Sequence, residues 1–369
     1  MAFDLTDEQR ELRARASSVG IDLASRRSPN EGRVDRELLL ELARSGLLGR
    51  LFPKGAVSAF DLCLLREGLA QGSTAAETAL AMQGLGGYPI LQSGRAETVE
   101  RWVPRIARGK AVAAFALTEP EHGTDAGAIE LKAERDTGGW RLSGVKAWIS
   151  NAPEADVYTV FARTTPDARA KGVTAFVVPG DAEGLTGEAV ELLSGHPIGT
   201  LQLDGVFVPD GDVLGEVDRG FAVAMRTLDL FRPSVGAFAV GMAQRALDLS
   251  LAHAASREAF GKPLREFQAV SHAVAEMATR TDAARLLVYR AAAAYDEGRP
   301  GVTRTSAMAK LFATEAAQWV VDAAVQIHGA SALQRGHPLE HLYRDVRATR
   351  IYEGTSEIQR EIIARQLFE

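Results

Sequence analysis

The chain has one cysteine, Cys63, in 369 residues, so no disulfide framework can hold it together. That thiol falls in the apolar run Phe60-Asp61-Leu62-Cys63-Leu64-Leu65, where a small buried core residue is expected. Scarce cysteine fits a reducing cytoplasm. Excess positive charge is also missing. The formal net charge is −6, which argues against nucleic acid as a main partner, because phosphate backbones need a basic surface. No apolar run approaches the roughly 20 residues that span a bilayer. The first residues, Met1-Ala-Phe-Asp-Leu-Thr6-Asp-Glu-Gln9, are acidic and lack the basic and apolar regions of a signal peptide. Thr6 and Gln9 have the spacing of a capping box that opens a helix. The expectation is a cytoplasmic protein without membrane insertion.

What is present divides the chain into three regions. The hydrophobic share, 46%, is enough for one large core or for two or three smaller ones. Residues 1–112 read as an N-terminal helical domain, with leucines at helical spacing (Leu38, Leu39, Leu42, then Leu47, Leu48) and breaks at Ser28-Pro29-Asn30 and Pro53-Lys54-Gly55. Residues 113–218 carry β-rich runs at Trp140–Ser150, Val157–Ala162, Val173–Val178 and Leu201–Pro209, parted by Gly, Pro and Asp turns. They suggest a compact antiparallel middle domain. Residues 219–369 are helical again, with Ala- and Leu-rich segments at 225–256, 266–296, 303–328 and 355–368 that suggest a four-helix bundle. The fold class is α+β, in the order helix, sheet, helix.

Two segments carry chemistry. Ile351-Tyr-Glu-Gly-Thr-Ser-Glu-Ile-Gln359 places Glu353 in a Gly-containing loop before a helix that starts near Thr355 or Ser356. Ser356 and Gln359 have capping-box spacing, and Ile358, Ile362 and Ile363 supply an apolar face. A carboxylate at a helix mouth suits a base that works beside an anionic cofactor; it also suits a surface glutamate before a capped helix. The second segment, Phe115-Ala-Leu-Thr-Glu-Pro-Glu-His-Gly-Thr-Asp125, holds the hydroxyls of Thr118 and Thr124 and the permissive Gly123. Trp148-Ile-Ser150-Asn ends a strand with an aromatic face and another hydroxyl. Such a loop can bind a planar heterocycle at one end and a phosphate at the other. The plainer reading is a Gly- and Thr-rich turn beside a buried tryptophan.

Taken together, these segments resemble the acyl-CoA dehydrogenase family over essentially the whole chain. Leu117-Thr-Glu-Pro-x-x-Gly-Thr-Asp125 matches one family signature, and Arg344-Asp345 through Arg360, centred on Tyr352-Glu-Gly-Thr355, matches the other. The resemblance implies FAD as cofactor and Glu353 as the base that takes the α-proton of an acyl-CoA thioester. The β-hydride would go to the flavin, leaving a trans-2-enoyl thioester. It implies flavin-ring contacts at Phe115, Leu117, Thr118, Trp148 and Ser150. Gly123 and Thr124 fall on the pyrophosphate or substrate side of their loop, and Thr355 and Glu357 near the diphosphate and adenosine. Asp229, Arg232, Thr124 and Gly354 fall on the substrate side. Arg257, Phe260, Gln326 and Gly329 match residues that reach the FAD of a neighbouring subunit in a tetramer. An electron-transfer flavoprotein or similar acceptor would reoxidise the flavin. Phe231, beside Arg232, cannot replace the base.

The chain departs from the family pattern at Leu51–Ser58, at the shortened Gly195–Gly205 and at His328-Gly-Ala-Ser-Ala332. The first two bear on the acyl pocket and the third on the adenosine end of FAD. Alternatives on the same scaffold are a flavin oxidase or monooxygenase, a dehydrogenase of acyl carrier protein thioesters, and a degenerate, non-enzymatic acyl-carrier binder. Glu353 and the intact flavin motif argue against the oxidase and the degenerate binder. His337-Pro-Leu-Glu-His341 fits a zinc-peptidase pattern, but Pro338 disfavours the helix that pattern needs, and no metal is expected. His328 reads as a hydrogen-bonded histidine, and Gly84-Leu-Gly-Gly-Tyr88 as a helix break.

Overall fold

The computed structural model describes residues 4–26 and 32–368. The break expected at Ser28-Pro29-Asn30 lies outside the described residues. The chain forms two compact units, one of Met1–Arg27, Ser58–Glu77 and Asp229–Glu369, the other of Ser28–Val57 and Thr78–Leu228. Among the described residues no helix is long and apolar enough to cross a membrane.

The first unit is helical. It contains α1 (Asp7–Arg26), α3 (Ala59–Gly72), most of α6 (Gly220–Ser256), α7 (Gln268–Asp296), α8 (Val302–His328), α9 (Pro338–Ala348) and α10 (Ser356–Phe368). The α1 capping box forms as expected: Thr6 N donates to Gln9 Oε1 at 3.0 Å and Gln9 N donates to Thr6 Oγ1 at 3.2 Å. Helix α3 is buried along most of its length, Cys63 included. Its N-terminus is capped from afar by Asp296, whose carboxylate accepts from Ala59 N at 2.6 Å and Phe60 N at 3.0 Å. Buried Glu67 accepts from Arg285 Nε at 2.9 Å and from the Tyr289 hydroxyl at 2.6 Å, tying α3 to α7. A hairpin of β9 (Glu258–Ala259) and β10 (Lys262–Pro263) separates α6 from α7.

The second unit is built on a sheet. It carries α2 (Arg36–Arg44), most of α4 (Thr74–Ser93) and α5 (Ala96–Ala107) with strands β1 (Ala113–Ala116), β2 (Lys132–Asp136), β3 (Gly139–Ser150), β4 (Val157–Arg163), β5 (Val173–Pro179), β6 (Leu185–Ala189), β7 (Ile198–Pro209) and β8 (Val213–Leu214). The strand order is β6-β7-β3-β2-β4-β5-β8, with β1 paired to β4. Most pairings are antiparallel, as expected, but β1 and β2 each run parallel to β4, so the sheet is mixed. The cause is the long excursion between β1 and β4, which returns the chain in the same direction. Strands β4 and β5 are buried on both faces, one packed with Tyr158, Val160 and Phe176, the other with Val157, Phe161 and Val177. That double burial explains why these runs are continuously apolar.

The Gly84–Tyr88 stretch is no helix break. Helix α4 runs through it, because a Cβ at Gly86 would lie within 2.5 Å of Ala114 N. The glycine lets the helix lie directly on β1, and this packing outweighs its poor helix propensity.

Candidate active site

Glu353 stands in the turn between α9 and α10 with φ of 52°, followed by Gly354 at 91°. A left-handed glutamate costs about 1–2 kcal/mol, so the turn has to be held by its surroundings. Gln359 Nε2 donates to the carbonyls of Glu353 at 3.2 Å and Gly354 at 3.0 Å, and Lys310 Nζ on α8 donates to Gly354 O at 2.7 Å. The capping box expected at Ser356 and Gln359 does not form. Thr355 Oγ1 caps α10 by accepting from Ile358 N at 3.3 Å, while Ser356 Oγ donates to Glu315 at 2.6 Å. Gln359 is drawn back to the turn's carbonyls instead of to a backbone N–H. Ile358, Ile362 and Ile363 are half-buried.

Both carboxylate oxygens of Glu353 are shut off from solvent and meet no hydrogen-bond donor among the described residues. Burial pushes the carboxyl above its ordinary pKa, and Arg66, Lys310 and Arg232 oppose the shift, in that order. Arg66 is itself buried; it pairs with Glu77 and donates to Ser234 Oγ at 2.7 Å. Burial lowers the Lys310 ammonium to about 8. Arg232 pairs with Asp229 at 3.1 Å, and neighbouring Phe231 is buried. An unpaired, desolvated carboxylate beside fixed cations is suited to accept a proton. The Glu353 backbone N–H meets no acceptor among the described residues.

In the sheet unit, the Leu117–Asp125 loop is pinned from beneath. Buried Lys146 Nζ donates to Leu117 O at 2.9 Å and to Glu119 Oε1 at 2.8 Å. Glu119 also accepts from Glu130 N at 2.6 Å and Leu131 N at 2.9 Å, and Thr118 O accepts from Ala147 N at 3.0 Å. The Phe115 ring packs on Phe161 with centroids 4.8 Å apart. Thr118 is left half-buried, with Gly123 and Thr124 exposed. The β3–β7 register shifts between Lys146 and Ile149, and at this bulge Trp148 takes φ of 57° and stands 55% exposed. The tryptophan is therefore not buried, as the plainer reading had it. Ser150 Oγ lies 2.7 Å from His196 Nε2. A rigid loop edge, an exposed indole and two hydroxyls fit a planar heterocycle.

Residues 6–110, 114–206 and 218–368 match, in order, the N-terminal, middle and C-terminal domains of acyl-CoA dehydrogenase. The cyclohexane-1-carbonyl-CoA dehydrogenase of Geobacter metallireducens is 39% identical over 344 residues, covering 91% of this chain and 90% of that one. The solved butyryl-CoA dehydrogenase of Megasphaera elsdenii superposes with a TM-score of 0.94 at 34% identity, covering 100% of both chains. PigA, solved with FAD and proline, gives 0.93 at 29% identity, covering 100% of this chain and 99% of that one. The chain belongs to the acyl-CoA dehydrogenase family. It is an oxidoreductase of that family.

In this dehydrogenase the residues matched to a neighbouring subunit's cofactor are exposed. Phe260 is 96% exposed at the tip of the β9–β10 hairpin with φ of 50°, and Arg257, Gln326 and Gly329 are exposed too. Thr355 is half-buried and Glu357 exposed. His328 Nδ1 donates to Ala324 O at 2.8 Å, and the ring stacks on His253, ring centroids 4.2 Å apart. Contrary to expectation, a helix does begin at His337–His341. His337 is the N-cap of α9 and Pro338 occupies the first turn, where its missing N–H costs nothing. His337 Nδ1 accepts from Leu339 N at 3.1 Å, and His341 lies 3.0 Å from Thr74 Oγ1 and 3.2 Å from Asp345. Sequence reasoning missed Arg66, Lys310, Lys146 and His196, and it took Gln359 for part of a capping box. A charged residue inside an apolar helical run, as at Arg66 and Lys310, is the signal that could have found two of them.

Proposed function

We propose that this chain catalyses the FAD-dependent α,β-dehydrogenation of an acyl-CoA thioester to a trans-2-enoyl thioester, with Glu353 as the base. The observation that carries this reading is the buried Glu353 carboxylate, which has no hydrogen-bond partner among the described residues and lies in the field of Arg66, Lys310 and Arg232. Phe115, Leu117, Thr118, Trp148 and Ser150 would hold the flavin ring, and Gly123, Thr124, Thr355 and Glu357 its phosphate and adenosine side. When bound, FAD supplies the acceptor for the β-hydride.

Glu353 takes the α-proton onto a carboxylate oxygen, which no other donor occupies. Its backbone N–H is free to donate to the thioester carbonyl as negative charge grows there. Arg66, Lys310 and Arg232 favour the anionic form of Glu353 against its burial, and Asp229 with Arg232 takes the CoA side of the substrate, with Thr124 and Gly354 lining it. Arg257, Phe260, Gln326 and Gly329 complete a partner subunit's cofactor site in a homotetramer, and an electron-transfer flavoprotein or similar protein reoxidises the enzyme. The functional segments are 1–112, 113–218 and 219–369. Cyclic and branched acyl groups belong among the candidate substrates, given the altered Leu51–Ser58 segment and the cyclohexane-1-carbonyl-CoA relative.

Glu353→Gln tests the base. The variant should stay yellow and bind acyl-CoA but lose about a thousandfold or more in turnover. Near-normal turnover would refute the assignment.

A further inference from the structure

Ser150 does not stand alone at the end of β3. The His196 ring that meets its hydroxyl sits on the segment leading into β7, and backbone hydrogen bonds fix that segment on three sides. Gly195 O accepts from Gly32 N at 3.1 Å, Pro197 O from Asn151 N at 2.9 Å and Ile198 O from Val190 N at 2.8 Å. Ser150 is also the register partner of Ile198. Both partners of the 2.7 Å contact are therefore tied to the same strand pair. Burial pushes the imidazole down to about 4, so at ordinary pH the ring is neutral and carries one N–H. This histidine lies in the stretch that departs from the family pattern, Gly195–Gly205.

A serine hydroxyl has one proton and two lone pairs, and it rotates to suit its neighbours. Facing an unprotonated ring nitrogen, Ser150 would spend its proton on His196. Facing an N–H, it accepts, and its proton points elsewhere. We propose that His196 is a positioning residue for the cofactor: in its Nε2–H form it donates to Ser150 Oγ and thereby directs the Ser150 proton to the flavin ring. This rests on the reading of Ser150 as a ring contact. Acceptors on a flavin ring change on reduction, so a donor fixed in direction favours one redox state over the other. His196 thus tunes the flavin without touching it.

The test uses the FAD-loaded protein and reads the midpoint potential of the bound flavin and its visible absorption band. His196→Leu should change the relative affinity for oxidised and reduced flavin about tenfold, a shift of about 30 mV for a two-electron couple. His196→Gln, whose side-chain amide can place an N–H near Nε2, should restore most of the wild-type potential and band shape. In a Ser150→Ala background, His196→Leu should add nothing, because the effect travels through the hydroxyl. Equal potentials for wild type and His196→Leu overturn the proposal, and so does a full additional shift in the Ser150→Ala background. A wild-type protein that takes up no FAD overturns this inference and the proposed function together, whereas a wild-type holoenzyme insensitive to His196→Leu overturns this inference alone.

Discussion

At the scale of single residues, Glu353 is costly to keep ionised where it stands. Its carboxyl is desolvated and accepts no hydrogen bond from the described residues, so its pKa in the folded protein lies above that of a free glutamate even with three cations nearby. The sign of the consequence follows from linkage. A carboxyl raised on folding leaves the protein most stable when protonated, and that stability is lost as pH rises through the folded value. Glu353→Gln should therefore melt at a higher temperature than wild type at about pH 8, with the difference shrinking as pH falls and Glu353 takes up its proton. Thermal unfolding of both proteins across a pH series checks this; equal melting temperatures at the alkaline end would contradict the burial account. A stabilising substitution at the proposed catalytic residue is the expected trade of function against stability.

At the scale of elements, the turn that carries Glu353 depends on α8 and α10. Two successive left-handed residues leave their carbonyls pointing at Gln359 and Lys310, and the 2.7 Å bond from Lys310 crosses from a different helix. Lys310→Met would leave Gly354 O short of a donor and release the turn, and it would also remove a cation that favours ionised Glu353. We expect kcat to fall about tenfold to a hundredfold with a smaller change in KM, since misplacing a base by a fraction of an ångström is felt mainly in the chemical step. Steady-state kinetics decides it; a KM effect alone would assign Lys310 to substrate binding. Lys310 also shows where sequence reasoning stops. Helices α7, α8 and α10 were legible from periodicity and punctuation, and Glu353 from its motif. The donors that fix the turn come from residues 6 and 44 positions away from their acceptors, or from side chains whose pairing leaves no local pattern. The same limit hid α9, where a proline reads as a breaker until its place in the first turn is seen. It also hid the passage of α4 across Gly86, which only the approach of β1 explains.

At the scale of the whole molecule, the order of helical, β and helical regions was readable from composition shifts, but two features were not. One is the parallel pairing of β1 and β2 with β4, because strand direction depends on how the chain returns over some forty residues. The other is the placement of the N-terminal helices, with α1 and α3 in one compact unit and α2 in the other. The exposed Arg257 and Phe260 make a prediction at this scale. If they serve a partner's cofactor, Arg257→Ala should retain FAD less well, by about tenfold in dissociation constant, within the range for a lost charged contact. It should do so with an unchanged helical circular dichroism spectrum. Flavin content after dilution and gel filtration measures it, and unchanged retention would count against the shared site.

The most direct test of the central claim is an anaerobic titration of the FAD-loaded protein with straight, branched and cyclic acyl-CoAs, cyclohexane-1-carbonyl-CoA among them, followed by the visible flavin absorbance. The account predicts that at least one class bleaches the flavin in wild type, and that the same thioester fails to bleach it in Glu353→Gln. A yellow wild-type protein that no acyl-CoA bleaches would contradict it.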